Sequence, residues 1–199
     1  MSVRKSRFVE MFGEYESNEF GWPKETLGER IRFLTSGSRG WAKYYSDDGD
    51  LFITIKNVKG CKIHLDDVQH VMPPQGAEAE RTRVQTGDLL VSVTADLGRT
   101  GVVNGELAQK GAYINQHLML VRLDCACYNP LFVAYFMESP FGKEQFAKKN
   151  MTSVKAGLNF DSMKSFRLFR PPISIQDEFV SFVSQVDKSE LCDEMAVAA

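Results

Sequence analysis

Apolar positions along this chain follow a helical period at its two ends and a strand period through its middle. Phe8, Val9 and Phe12 fall on one face of a helix spanning residues 4–12, which Gly13 is placed to stop. Residues 14–23 are polar and turn-rich, so they read as a linker with Trp22 as its anchor. Short apolar runs bounded by Gly, Asp or Asn then predict strands at 51–55, 89–93, 101–103, 118–123 and 166–169. Thr86-Gly87-Asp88 supplies a turn into the second of these. Asn129-Pro130 and Ser139-Pro140 each put a capping side chain before a proline, which predicts two helix starts.

Pro171-Pro172 ends the last strand, and Ser174-x-x-Asp177 resembles a capping box opening a final helix. Ile175, Phe179, Phe182, Val183 and Val186 form its apolar stripe, which fails where Ser189 and Asp193 occupy the next seam positions. An autonomous coiled coil needs about three to four unbroken heptads, so this seam must pair with something else. The N-terminal helix, a second copy of the chain and a partner protein are the candidates. The fold class expected is mixed α+β, a twisted, mainly antiparallel sheet with flanking helices. The division expected is an N-terminal helix at 1–13, a main domain at 14–172 and a C-terminal spacer (coiled-coil) helix at 173–199.

Composition adds mostly exclusions. With 199 residues, 43% hydrophobic and 25% charged, the chain is sized for one folded domain and is neither disordered nor a disulfide scaffold. No run approaches the roughly 18 apolar residues of a membrane span, and export is not expected. Cys61, Cys125, Cys127 and Cys192 lack C-x-x-C spacing and read as reduced thiols of a cytoplasmic protein. A net charge of −2 gives no global sign of nucleic acid, but charge is locally concentrated. Arg30, Arg32, Arg39 and Lys43 come without an intervening acid, and Lys143, Lys148, Lys149, Lys155, Lys164, Arg167 and Arg170 face only Glu144 and Asp161. Together they could form one phosphate-facing surface, or be scattered solvated charges.

Catalytic patterns are missing. Asn129-Pro130-Leu131-Phe132 superficially matches the Asn-Pro-Pro-Tyr/Phe loop of amino methyltransferases, but the second proline is absent and a helical pattern follows at once. Gly37-Ser38-Arg39-Gly40 is not a nucleophile elbow, and no phosphate-binding G-x-x-x-x-G-K-[ST] occurs. His64, His70 and His117 have no metal-like spacing, and Asp47-Asp48-x-Asp50 lacks the later glutamate of a calcium loop. No catalytic residue, metal site or cofactor is expected in this chain.

The order of segments resembles the specificity subunits of Type I restriction-modification systems along nearly the whole chain. The resemblance is carried by Lys5 through Gly13, Gly21-Trp22-Pro23, Leu27-Gly28-Glu29, Gly87-Asp88-Leu89-Leu90-Val91-Ser92 and Ile114-Asn115-Gln116-His117. Gly157-Leu158-Asn159-Phe160 and Pro171 through Phe179 complete it. It implies a target-recognition domain followed by a spacer helix, where the family usually carries two of each and this chain shows one. It further implies DNA recognition on behalf of a modification subunit using S-adenosylmethionine and a restriction subunit using ATP and Mg. Either a homodimer joined through the helical ends would restore the missing half, or the sequence stops before a second recognition domain. The alternatives are a protein-interaction module without DNA readout and a stand-alone DNA-acting enzyme.

Loops should supply the base and phosphate contacts. Ser36, Ser38 and Arg39 in a Gly-containing segment lead the candidates, since glycines let backbone approach closely and arginine can fork onto guanine. Lys43 and Tyr44 follow that loop, and Lys56 with Asn57, ending a strand, could place an amide toward adenine. Arg99, in a hairpin-like connection, Gln116 and His117 at the head of a strand, and Lys155 complete the DNA-binding set. Phe179, Phe182, Val183 and Val186 are the expected helix-pairing interface.

Overall fold

A computed structural model of the chain describes residues 2–151 and 157–197. It opens with α1 (Val3–Phe12) and the short β1 (Lys24–Thr26), then β2 (Ile31–Ser36), β3 (Tyr45–Ser46) and β4 (Asp50–Ile53). A ribbon follows, β5 (Val58–Lys59) with β6 (Lys62–Ile63), then β7 (Gln69–Val71), α2 (Ala77–Thr82), β8 (Leu89–Ser92) and β9 (Thr100–Val102). The later half holds α3 (Gly105–Lys110), β10 (Ala112–Ile114), β11 (Leu118–Leu123), α4 (Pro130–Met137), α5 (Pro140–Met151), α6 (Phe160–Lys164), β12 (Arg167–Phe169) and α7 (Ile173–Val197). The class is mixed α+β, as the alternation of periods suggested.

Two four-stranded sheets stack on each other. The first has the order β2-β11-β8-β9 and is antiparallel throughout. The second has the order β10-β4-β7-β3, with β10 and β4 parallel and the other pairs antiparallel. The strand period of two sorts β8 and β11 between two cores. Leu89, Val91, Met119 and Val121 point into a cluster with Phe8, Phe12, Phe132 and Phe179, under α1, α4 and α7. Leu90, Leu118 and Leu120 point the other way, against Leu51, Ile53, Ala112 and Ile114 of the second sheet. Burial on both faces explains why β8 reads as an unbroken apolar run. The outer face of the second sheet is closed by Trp41, Phe52, Val71, Ala79 and Tyr113.

The helices follow their expected starts, with one exception. Asn129 accepts from the Leu131 amide at 3.1 Å and Ser139 Oγ from the Gly142 amide at 3.2 Å, each before its proline. The capping box expected at Ser174 and Asp177 is not formed, because α7 already begins at Ile173, directly after Pro172. Gln176 is instead the polar anchor of this corner. Fully buried, it donates to the carbonyls of Cys127 and Pro171 at 3.0 and 2.8 Å and accepts from the Asn129 amide at 2.9 Å. The Lys56-Asn57 pair does not end a strand, since residues 55–57 form a single 3-10 turn after β4.

The seam of α7 is filled in its first half by the chain itself. The Phe179 ring lies 5.3 Å from Phe8, 5.6 Å from Phe12 and 5.0 Å from Tyr135, and Phe179 and Val183 are buried. Arg4 pairs with Asp187 at 2.5 Å while Arg7 sits near Glu178 at 3.8 Å, so α1 runs antiparallel to α7. Phe179 and Val183 are therefore core residues, each worth about 1.5–3 kcal/mol of buried apolar surface, and of the three candidate partners it is the N-terminal helix that lies against this half of the seam. Phe182 and Val186 are half-buried, and Leu191 and Met195 beyond them are exposed. Among the described residues no helix is long and apolar enough to cross a membrane.

Candidate nucleic-acid interface

The end of the first sheet where β2 and β8 finish and β9 and β11 begin gathers several of the sequence-predicted residues. Leaving β2, the chain passes Gly37, where a Cβ would stand 2.0 Å from the Asn115 carbonyl oxygen, so only glycine fits. The backbone is then tied to the turn before β11 on both sides. Gly37 N–H donates to Leu118 O at 3.1 Å, Ser38 N–H to Ile114 O at 2.9 Å and Gln116 N–H to Ser38 O at 3.1 Å. Gly40 takes a left-handed φ of 68°, turning the chain so that Trp41 packs beneath it, 5.7 Å from Phe52 and 5.4 Å from Tyr113.

This scaffold leaves Arg39 outside. It is exposed, between buried Ser38 and Gly40, and makes no hydrogen bond or ion pair among the described residues. Ser36 is half-buried with its carbonyl accepting from Arg81 at 2.6 Å. Ser38 does not face outward as expected, because its hydroxyl is buried 3.1 Å from Thr82 Oγ1. Lys43 is exposed with its ammonium 4.9 Å from the Tyr44 ring centroid, and Tyr44 is half-buried edge-on to Trp41.

Two neighbouring loops complete this end. His117 Nδ1 lies 2.8 Å from Thr94 Oγ1, and Gln116 Nε2 lies 3.3 Å from His117 Nε2. Donating there leaves the Gln116 carbonyl oxygen and a second N–H open. The connection from β8 to β9 is the expected hairpin, held by Arg99 N–H to Ser92 Oγ at 2.9 Å and Gly98 N–H to Ser92 O at 3.0 Å. Arg99 itself pairs with Asp96 at 2.6 Å, so its charge is locally balanced.

Other predicted residues sit elsewhere. Lys56 is exposed on its 3-10 turn. Asn57 is buried and its amide is spent on structure, accepting from Thr54 N–H at 2.9 Å and donating to His64 O at 3.0 Å, which takes it out of reach of a base. Lys155 lies outside the described residues. The two basic stretches do not form a single free surface: Arg30 and Arg170 both hold Glu25 (3.1 and 3.2 Å), Arg32 holds Asp124 at 2.6 Å and Lys148 holds Glu144 at 2.5 Å. Sequence reasoning missed Arg81, whose segment sets Arg81 and Arg83 beside Glu78 and Glu80, and Thr94, which has no basic or aromatic residue beside it. No group of three or more His, Cys, Asp or Glu among the described residues is placed to hold a metal ion.

Comparison with known proteins assigns this architecture. Residues 76–193, more than half of the chain, match the Type I restriction modification DNA specificity domain. The chain belongs to that family. The family is a non-catalytic one of DNA recognition, in keeping with the sequence resemblance. No curated protein sequence matches the chain. Among solved structures, a component of a type I R-M system described for its complex assembly and conformational transition superposes with a TM-score of 0.65 at 17% identity, over 98% of this chain and 45% of that one. The HsdS subunit from Thermoanaerobacter tengcongensis gives 0.63 at 19%, over 98% and 44%. The Type-I restriction-modification system S subunit from M. genitalium gives 0.60 at 13%, over 98% and 50%. The specificity-family chain thus spans about half the length of the solved chains it resembles, and at these identities the likeness is one of fold.

Proposed function

We propose that this chain reads one half of a bipartite DNA target and directs separate methyltransferase and nuclease subunits to it. The observation that carries this reading is the exposed Arg39, without a partner among the described residues, on a loop pinned by the Ser38–Ile114 and Ser38–Gln116 backbone bonds. A fixed backbone with a free guanidinium suits bidentate contact to guanine in the major groove. Gln116 keeps a donor and an acceptor for adenine, with His117 and Thr94 setting its orientation. Ser36, Lys43, Tyr44, Lys56 and Arg99 border the contact, with Lys43 and Lys56 suited to phosphate. S-adenosylmethionine belongs to the modification subunit, and ATP and Mg to the restriction subunit.

In this reading two copies of the chain pair through Phe182, Val186, Leu191 and Met195 of α7, the half-buried and exposed apolar positions of its seam. A twofold dimer would favour a palindromic bipartite site. Mapping methylated adenines after co-expression with the modification subunit tests the whole reading, with one split, symmetric motif expected. Methylation without a motif, or none at all, would count against it. Phe182→Glu with Val186→Glu is expected to leave a folded monomer by sedimentation velocity, and a dimer persisting in that variant would refute the pairing.

A further inference from the structure

Arg81 lies beside the candidate reading loop, on the last turn of α2. One of its terminal nitrogens, Nη1, donates to Thr35 Oγ1 and to the Ser36 carbonyl. Those two bonds hold the planar guanidinium against the outer edge of β2, where the sheet has no further strand. The adjacent Thr82 is the buried partner of Ser38, at 3.1 Å, so α2 grips the base of the loop through two successive residues. The side chain of Arg81 remains 41% exposed, and its nearest acid, Glu78, stands 3.9 Å away, beyond hydrogen-bond distance. Nη2 and Nε therefore keep three N–H donors without a hydrogen bond among the described residues, Nη2 having only this long ion-pair contact to Glu78.

We infer that Arg81 is a backbone anchor of the interface, its fixed guanidinium binding a DNA phosphate next to the base pairs that Arg39 reads. The two bonds to β2 remove the rotamer freedom that a surface arginine would otherwise lose on binding, and they orient the remaining donors as a fork suited to phosphate oxygens. The inference rests on the proposed DNA-facing role of this end. It adds a division of labour: the exposed Arg39 carries base preference, whereas the tethered Arg81 carries position and salt dependence.

The test is the salt dependence of binding by the full chain to a random-sequence duplex. A lost phosphate contact lowers the slope of log K against log salt by about 0.9. Arg81→Gln is expected to show that drop, while Thr82→Val, which loosens the loop without removing charge, keeps the parent slope. Glu78→Gln, an exposed change that leaves the fold alone, is expected to tighten binding about twofold at low salt by removing the neighbouring negative charge. A parent slope in a folded Arg81→Gln variant overturns the inference, as does unchanged binding by Glu78→Gln should Arg81→Gln not fold. If the parent chain itself binds without salt dependence, the DNA-facing reading fails and this inference with it.

Discussion

The two ends of the first sheet use the same residue types for opposite purposes. At the end where β2 begins, arginines are consumed by the fold. Arg122 makes two hydrogen bonds to fully buried Asp88, at 2.7 and 2.9 Å, and Arg30 and Arg170 converge on Glu25. At the end where β2 finishes, Arg39 has no partner among the described residues and Arg81 commits only one of its nitrogens to hydrogen bonds. The six residues of β2, about 20 Å of strand at ~3.3 Å each, separate these environments. A basic stretch that looks continuous in the sequence is thereby divided into a structural half and an available half. Counting cations cannot make that division, because it depends on which acids the topology brings opposite them.

That contrast can be broken most forcefully at the structural end. Arg122→Met leaves Asp88 buried with only the Gln85 amide as partner, and about 3 kcal/mol of stability should be lost in chemical denaturation. DNA binding by the fraction that remains folded should keep the parent salt slope. At the available end, Arg39→Ala should leave the denaturation midpoint within about 0.5 kcal/mol of the parent. Its base preference, read by competition between duplexes, should weaken by about 1–3 kcal/mol at one position. Unchanged preference removes Arg39 from the interface.

The smallest effect expected is one of pH. Burial opposes ionisation of Glu25, but its hydrogen bond to Arg30 and the charges of Arg30 and Arg170 prevail and hold its carboxyl below the usual carboxylate range. A depressed folded-state value means that the contribution is complete at neutral pH and is lost as pH falls through that value. Thermal unfolding between neutral and acid pH should show this loss in the parent. In Glu25→Gln that part of the acid slope should be absent, and an identical slope in both would show that Glu25 is not its source.

Much of the scaffold was legible because burial on two faces writes itself into sequence. The apolar runs at β8 and β11 and the Asn-Pro and Ser-Pro helix starts needed no tertiary information. The second sheet was harder. Its parallel β10–β4 pair joins segments some sixty positions apart, and although β4 reads as the apolar run at 51–55, β10, at three residues, is too short to register, so their pairing leaves no trace in the sequence. Helices α2, α3 and α6, five or six residues each, escaped for the same reason. At the candidate site, Arg39 was legible from its glycine neighbours. The inward turn of Ser38 and Asn57 was not, because it depends on Thr82 in one case and on a 3-10 turn with His64 in the other. Arg81 sits among glutamates in sequence and gains its place only when α2 packs on the edge of β2.

The antiparallel contact of α1 with α7 also bears on how the chain is made. Arg4 and Asp187 are 183 positions apart, and the Phe8–Phe179 pair closes nearly the same loop. A chain emerging from the ribosome with its N-terminus first must carry Phe8 and Phe12 without their final neighbour Phe179 until α7 has been synthesised. Such high contact order slows closure of the core. Within this domain, α1 is translated before the helix it needs and is thus among the last elements to find its place.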